Sequence, residues 1–140
     1  MIKINGFEHV SWAASELEPG QRTLGLFGIK QTGFEEIHDQ DVTSNYFEGD
    51  NGVRFEIIRP LGPNSHLRKF LETRGPGLHH VCFQVDSLDD ACAQITGAGG
   101  QLVGHTFSDS RGKHVFIHPK STGGVLIGLI ELYPHLKLAK

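Results

Sequence analysis

The chain is short of several things that would mark particular functions. Of its 140 residues only two are cysteine, Cys82 and Cys92, too few and wrongly spaced for a zinc knuckle or a disulfide framework. No run of Lys or Arg exceeds two residues and the formal net charge is −3, so no basic surface is offered to nucleic acid or to an anionic membrane. The longest apolar stretch, around Val125–Ile130, falls far short of the ~20 residues a membrane span needs. The opening residues, Met1-Ile2-Lys3-Ile4-Asn5-Gly6, carry neither an apolar signal core nor an Arg-rich amphipathic leader. The expectation is a soluble, cytoplasmic protein with no nucleic-acid or membrane partner. What is present fits one folded domain spanning residues 1–140: 38% hydrophobic residues, 21% charged, and nine Phe to fill a core.

The chain repeats itself. Gly6-Phe7-Glu8-His9-Val10 matches Gly77-Leu78-His79-His80-Val81 at an offset of 71. Gly52-Val53-Arg54-Phe55-Glu56-Ile57-Ile58 matches Gly124-Val125-Leu126-Ile127-Gly128-Leu129-Ile130 at an offset of 72. Two anchors with nearly equal offsets point to a duplication, with Gly75-Pro76-Gly77 marking the seam.

Each copy reads as a strand, a helix and three more strands. In the second copy, His80 to Val85 is rich in β-formers. Ser87 is placed to cap a helix, with Asp90 three residues on, and Leu88, Ala91, Cys92, Ile95 and Ala98 recur at helical spacing before Gly99-Gly100. Strands are expected near 101–107, 113–118 and 125–132. The first copy predicts a helix over 17–27, entered through Pro19, and strands near 29–37, 43–48 and 53–59. A helix over 65–74, with Leu67, Phe70 and Leu71 on one face, joins the copies. The fold class is α+β: two tandem βαβββ modules, about 6–60 and 77–133, with a linker helix within 64–74.

The duplication has chemical content. His9 and His80 occupy equivalent places on the first strand of each copy, and alternation points them to equivalent faces. Glu56 lies in an otherwise apolar strand, where a carboxylate is costly unless paired or metal-bound. Two His and one Glu form a set suited to a divalent ion with open positions. The plainer alternative makes His9 and His80 hydrogen-bonded core residues and Glu56 a solvated edge residue; the repeat-related placement favours the metal set. The place equivalent to Glu56 is Gly128, which has no side chain. Glu131, three residues on, should point to the other face, so only a bulge would bring it round as a replacement ligand.

His9, Gly77-Leu78-His79-His80-Val81 and the segment His118-Pro119-Lys120-Ser121-Thr122-Gly123-Gly124-Val125-Leu126-Ile127 resemble the methylmalonyl-CoA epimerase family of the vicinal oxygen chelate (glyoxalase-like) superfamily. Glu56-Ile57-Ile58-Arg59-Pro60-Leu61, Lys69-Phe70-Leu71 and Arg74-Gly75 extend the match, which runs from about Phe7 to Tyr133. The resemblance implies a curved eight-stranded mixed sheet around a cleft, usually in a homodimer. It also implies a divalent metal (Co, Mn, Zn, Ni or Mg) that chelates a malonyl-type acyl-CoA thioester and stabilises its enolate. It places the metal ligands on His9, Glu56 and His80, the family's fourth ligand on Gly128, and a carboxylate base on Asp39 of Asp39-Gln40-Asp41-Val42. Asp41 stands where the family has glycine.

The resemblance further sets Lys120 opposite the acyl group as a catalytic residue, with Ser121 and Thr122 in the same polar loop. Gln84 and Cys82 share the His80 face by alternation and are expected to line the site, and His118, which follows a strand, and Gly128 are expected to reach the substrate too. Arg111 and Lys113 are either solvated or face CoA phosphates. His38, His66, His79, His105, His114 and His135 read as surface or capping residues. Three functions stay open on this reading. The first is an epimerase enolising a 2-substituted malonyl thioester. The second is the same fold with another reaction (lyase, isomerase or decarboxylase) on a 1,3-dicarbonyl or glutathione adduct. The third is a small-molecule-binding protein without catalysis.

Overall fold

The structure is a computed structural model and describes residues 1–137. In chain order the elements are β1 (Ile4–Ala13), α1 (Glu18–Leu26), β2 (Lys30–Ile37), β3 (Val42–Glu48), β4 (Arg54–Pro60), α2 (His66–Arg74), β5 (Gly77–Val85), α3 (Leu88–Gly97), β6 (Leu102–Ser108), β7 (Gly112–Ile117), α4 (Pro119–Thr122) and β8 (Ile127–Leu132). Single 3-10 turns occupy His38–Gln40 and Pro134–Leu136. The strands form a mixed sheet of eight in the order β2-β3-β4-β1-β5-β8-β7-β6. This is the α+β arrangement of tandem βαβββ modules expected from the sequence.

The duplication is visible in the register. β1 pairs in parallel with β4, setting Val10 opposite Phe55 and Ser11 opposite Glu56. β5 pairs in parallel with β8, setting Val81 opposite Ile127 and Cys82 opposite Gly128. These are the same pairings at the offsets the repeat predicts. The antiparallel ladders match too: Tyr46 faces Glu56 across β3 and β4, and Phe116 faces Gly128 across β7 and β8. Tyr46 and Phe116 are therefore equivalent positions.

By contact the chain groups into two compact units, one of His9–His79 and one of Met1–Glu8 with the chain from His80 onward. In the first unit Leu24, Phe47 and Ile57 are buried together, with Trp12, Leu17, Ile29 and Phe55 packed around them. In the second, Val85, Leu88, Ala91, Ile95, Val115 and Leu129 form the buried cluster. Helix α3 forms as its pattern requires: Leu88, Ala91 and Ile95 are its buried stripe, and Ser87 Oγ accepts from the Asp90 N–H at 3.2 Å. It ends where Gly99 takes a φ of +85°, a conformation that glycine adopts without strain. Ser65 caps α2 in the same way through the Leu67 N–H.

Two local expectations are corrected. The polar segment after His118 is not an open loop but the one-turn helix α4, capped by His118 Nδ1, which accepts from the Lys120 N–H at 3.1 Å. β8 accordingly starts at Ile127, later than the sequence suggested, because Val125 is tied back through its N–H and C=O to the Thr122 hydroxyl. Among the described residues no helix is long and apolar enough to cross a membrane.

Candidate functional site

In the unit of His9–His79, alternation along β1 puts His9 and Ser11 on one face, while Trp12 turns to the helix side and packs with Ile57. Glu56 sits in register with Ser11 and accepts its hydroxyl proton at 2.9 Å through Oε1. The same oxygen lies 3.7 Å from His9 Nε2. His9 and Glu56 are each only 6% exposed, so the plainer alternative of a solvated, edge-bound Glu56 does not hold. Two donors bound about 2.1 Å from one ion stand about 3.0–3.5 Å apart in octahedral or tetrahedral geometry. The observed pair is within a few tenths of an ångström of that spacing. An imidazole and a carboxylate oriented by a hydroxyl therefore fit a divalent cation.

In the second unit, His80 is buried on β5 with its ring edge-on to Phe116, centroids 4.8 Å apart at 77°. Cys82, two residues on, is buried with Ile130 and Leu132 and acts as a small packing group. Gly128 is covered rather than open. A β-carbon there would lie 3.2 Å from Phe116 Cε1 and 3.4 Å from Cys82 Sγ. Glu131 does not substitute for the missing side chain. It points to the helix side, where Oε2 accepts from the Leu88 N–H at 2.9 Å and completes the start of α3.

Gln84 donates from Nε2 to Glu8 Oε2 at 2.5 Å, and Arg111 Nε reaches Glu8 Oε1 at 2.6 Å. Glu8 is 1% exposed. Arg111, expected in solvent or against phosphate, is instead the counter-charge of a buried carboxylate. Lys113 is half-buried and lies 3.7 Å from Asp89. Asp39 is exposed on the 3-10 turn that links β2 to β3. Asp41, closing that turn, holds φ 54° and ψ 44°, the left-handed region that a glycine would enter freely and that Asp tolerates better than most residues. Lys120 and Ser121 are exposed on α4, and their neighbour Thr122 is half-buried. The Ser121 hydroxyl accepts from the Gln101 N–H at 2.8 Å, and the Thr122 hydroxyl bonds Pro119 and Val125.

Two histidines expected at the surface are not there. His114 is buried, stacked on Phe107 at 8°, with Nε2 2.8 Å from Asp109 Oδ2. Burial pushes the Asp109 carboxyl up. The His114 bond and charge, with the N–H groups of Arg111 and Gly112, outweigh burial and hold it below its ordinary value. His79 is half-buried beside Phe70 and His66, and burial first, then the charges of His66 and Arg74, lower its pKa to about 4.

Sequence reading missed Ser11, Glu8 and Tyr46. Ser11 was within reach, since it lies two residues from His9 on the same face. Glu8 and Tyr46 were not, because their partners, Arg111 and Glu35, are assigned only by strand register and tertiary contact.

A tandem βαβββ sheet with buried imidazole and carboxylate donors on neighbouring strands is the framework of a glyoxalase-type small-molecule site. The chain belongs to the Glyoxalase/Bleomycin resistance protein/Dioxygenase superfamily, whose family model matches residues 8–117. It is 30% identical to protein YqjC of Bacillus subtilis, over 91% of this chain and 93% of that protein. It is also 30% identical to the ethylmalonyl-CoA/methylmalonyl-CoA epimerase of Cereibacter sphaeroides, over 92% of this chain and 99% of the relative. The crystal structure of methylmalonyl-CoA epimerase from Mycobacterium tuberculosis matches with a TM-score of 0.87 at 29% identity, covering 95% of this chain and 91% of that one.

Proposed function

We propose that the protein is a divalent-metal-dependent epimerase of 2-alkylmalonyl-CoA thioesters, working by proton transfer at the α-carbon. The observation that carries this reading is the buried His9–Glu56 pair, oriented by Ser11, in a chain so similar along its length to a named epimerase. The ligand set is His9, Glu56 and His80, all three buried. When bound, the cation polarises the acyl oxygens and lowers the cost of the negative charge that develops on the enolate. Candidate cations are Co, Mn, Zn, Ni and Mg.

The chain's own residues supply the rest. Ser11 holds the Glu56 carboxylate in one rotamer, so the donor is in place before substrate arrives. Asp39, a solvated carboxylate at its ordinary place on a turn, takes the α-proton. Lys120 on α4 meets the free carboxylate of the substrate, with His118, Ser121 and Thr122 shaping the same one-turn helix. Gln84, anchored by Glu8, offers its amide oxygen side to the substrate, and Cys82 and Gly128, packed together beside Phe116, form the floor under the acyl group. A homodimer is part of the proposal.

Gly128 favours a second reading. Its equivalent in the first module is a carboxylate, and here Phe116 and Cys82 pack against the bare backbone. A site with acid–base chemistry on one face only would enolise without inverting, as an isomerase, lyase or decarboxylase does; a site with none would simply bind its ligand.

Deuterium incorporation at C2 of enantiopure methylmalonyl-CoA in D₂O, with cobalt or with EDTA, tests both. Metal-dependent exchange with inversion is expected. Exchange with retention would transfer the assignment to the second reading, and exchange that ignores EDTA would overturn the metal.

A further inference from the structure

An epimerase must deliver a proton to one face of the α-carbon and remove it from the other, and Asp39 accounts for one of these. We infer that Tyr46, together with Glu35, is the second proton-transfer group. The inference rests on the epimerase reading above and names a residue for that site.

The register assigns Tyr46 its place. Ser11, Glu56, Tyr46 and Gly33 form one row across β1, β4, β3 and β2. Side chains directly opposite on paired strands share a face, so Tyr46 stands on the face that carries Glu56, His9 and Ser11. Its exposure of 9% is that of a lining residue like His9 and Glu56 rather than of a surface phenol. The ring leans over Gly33, where a β-carbon would lie 3.3 Å from Tyr46 Cδ2. That lean carries the hydroxyl to Glu35, whose Oε2 accepts it at 2.8 Å. Glu35 is half-buried, so the carboxylate can exchange protons with water while the phenol faces inward.

The repeat supplies a control. Phe116 occupies the equivalent of Tyr46, opposite Gly128 as Tyr46 is opposite Glu56. Phenyl fills this place in the second module, so packing alone does not require a hydroxyl in the first. A buried O–H aimed at a carboxylate is then explained by what it does.

The step balances as follows. The α-C–H bond breaks as its proton passes to the Tyr46 oxygen while the phenolic proton passes to Glu35; the electron pair stays on the enolate. In the opposite direction neutral Glu35 returns its proton to Tyr46, which gives its own to the carbon. Asp39 serves the other face. Each inversion leaves one carboxylate protonated and one free, and the next turnover or solvent exchange resets them.

Tyr46→Phe and Glu35→Gln decide this, assayed with cobalt-loaded protein and each enantiomer of methylmalonyl-CoA in D₂O. Wild type must first invert with exchange; its failure to do so sinks the epimerase reading, and this inference with it. With wild type active, Tyr46→Phe is expected to keep its melting temperature and to lose inversion by ~100-fold or more, the usual scale for a proton-transfer group. It should retain exchange of one enantiomer without inversion. Glu35→Gln should do the same. Inversion at the wild-type rate in Tyr46→Phe overturns the inference. So does an equal loss of exchange from both enantiomers, which is what a purely structural role would produce.

Discussion

Gly128 and Phe116 face each other across β8 and β7, and the ring occupies the ground next to the glycine that a side chain would need. Phe116 also holds the edge of His80. Reinstating a carboxylate by Gly128→Glu therefore displaces the ring. The variant is expected to lose about 1–3 kcal/mol of stability, the usual cost of overpacking. Gly128→Glu combined with Phe116→Ala should lose less than the sum of the two single losses, as read by urea unfolding.

Ser11 and Glu56 give a second test. Ser11→Ala leaves Glu56 without its orienting donor and should weaken cation binding by roughly 10- to 100-fold, the scale found for groups that orient a metal ligand. His9→Ala should abolish binding altogether. Titration calorimetry with cobalt measures both, and unchanged affinity in His9→Ala would remove this residue from the ligand set.

The Glu8–Arg111 pair is a stability element. Glu8 is fully enclosed, and removing Arg111 takes away the cation that faces its Oε1. Arg111→Ala should cost about 3–5 kcal/mol. Glu8→Gln in the same chain should restore much of it, since a neutral amide needs no counter-charge. Chemical denaturation of the two single variants and the double variant gives the coupling directly.

His79 makes the stability of the fold depend on pH. Its folded pKa, about 4, lies below the ordinary value of 6.5, so the folded state favours the neutral imidazole. The unfolded chain takes up the proton first on acidification. The contribution is therefore complete above pH 6.5 and is lost as pH falls from there to about 4. His79→Phe should flatten the stability profile across that window. In wild type the His79 ring resonances should not titrate above about pH 5 by NMR.

Much of this was legible in the sequence because the chain is written twice. The repeat located His9, His80, Glu56 and the bare position at Gly128 without any knowledge of the sheet. Capping signals such as Ser87 before Leu88 set the helix starts to within a residue. What stayed hidden depends on register. Glu8 and Arg111 lie 103 residues apart, and no local pattern connects them. His114 reads as a strand histidine bound for solvent until the β6–β7 ladder stacks it on Phe107. The equivalence of Tyr46 and Phe116 needs both antiparallel ladders, because the residue spacing between the repeats drifts by two positions there.

Glu131 has a consequence for the order of folding. The N–H of Leu88 is satisfied by a side chain 43 residues further along, after three more strands and a helix turn have been made. Helix α3 can begin on the local Ser87 cap, but its first turn is completed only when β8 has docked. Closing so long a loop is slow compared with forming a helical turn. The first turn of α3 should therefore fray in folding species in which β8 has not yet docked. In the native state, exchange of the Leu88 amide should report the docking of β8.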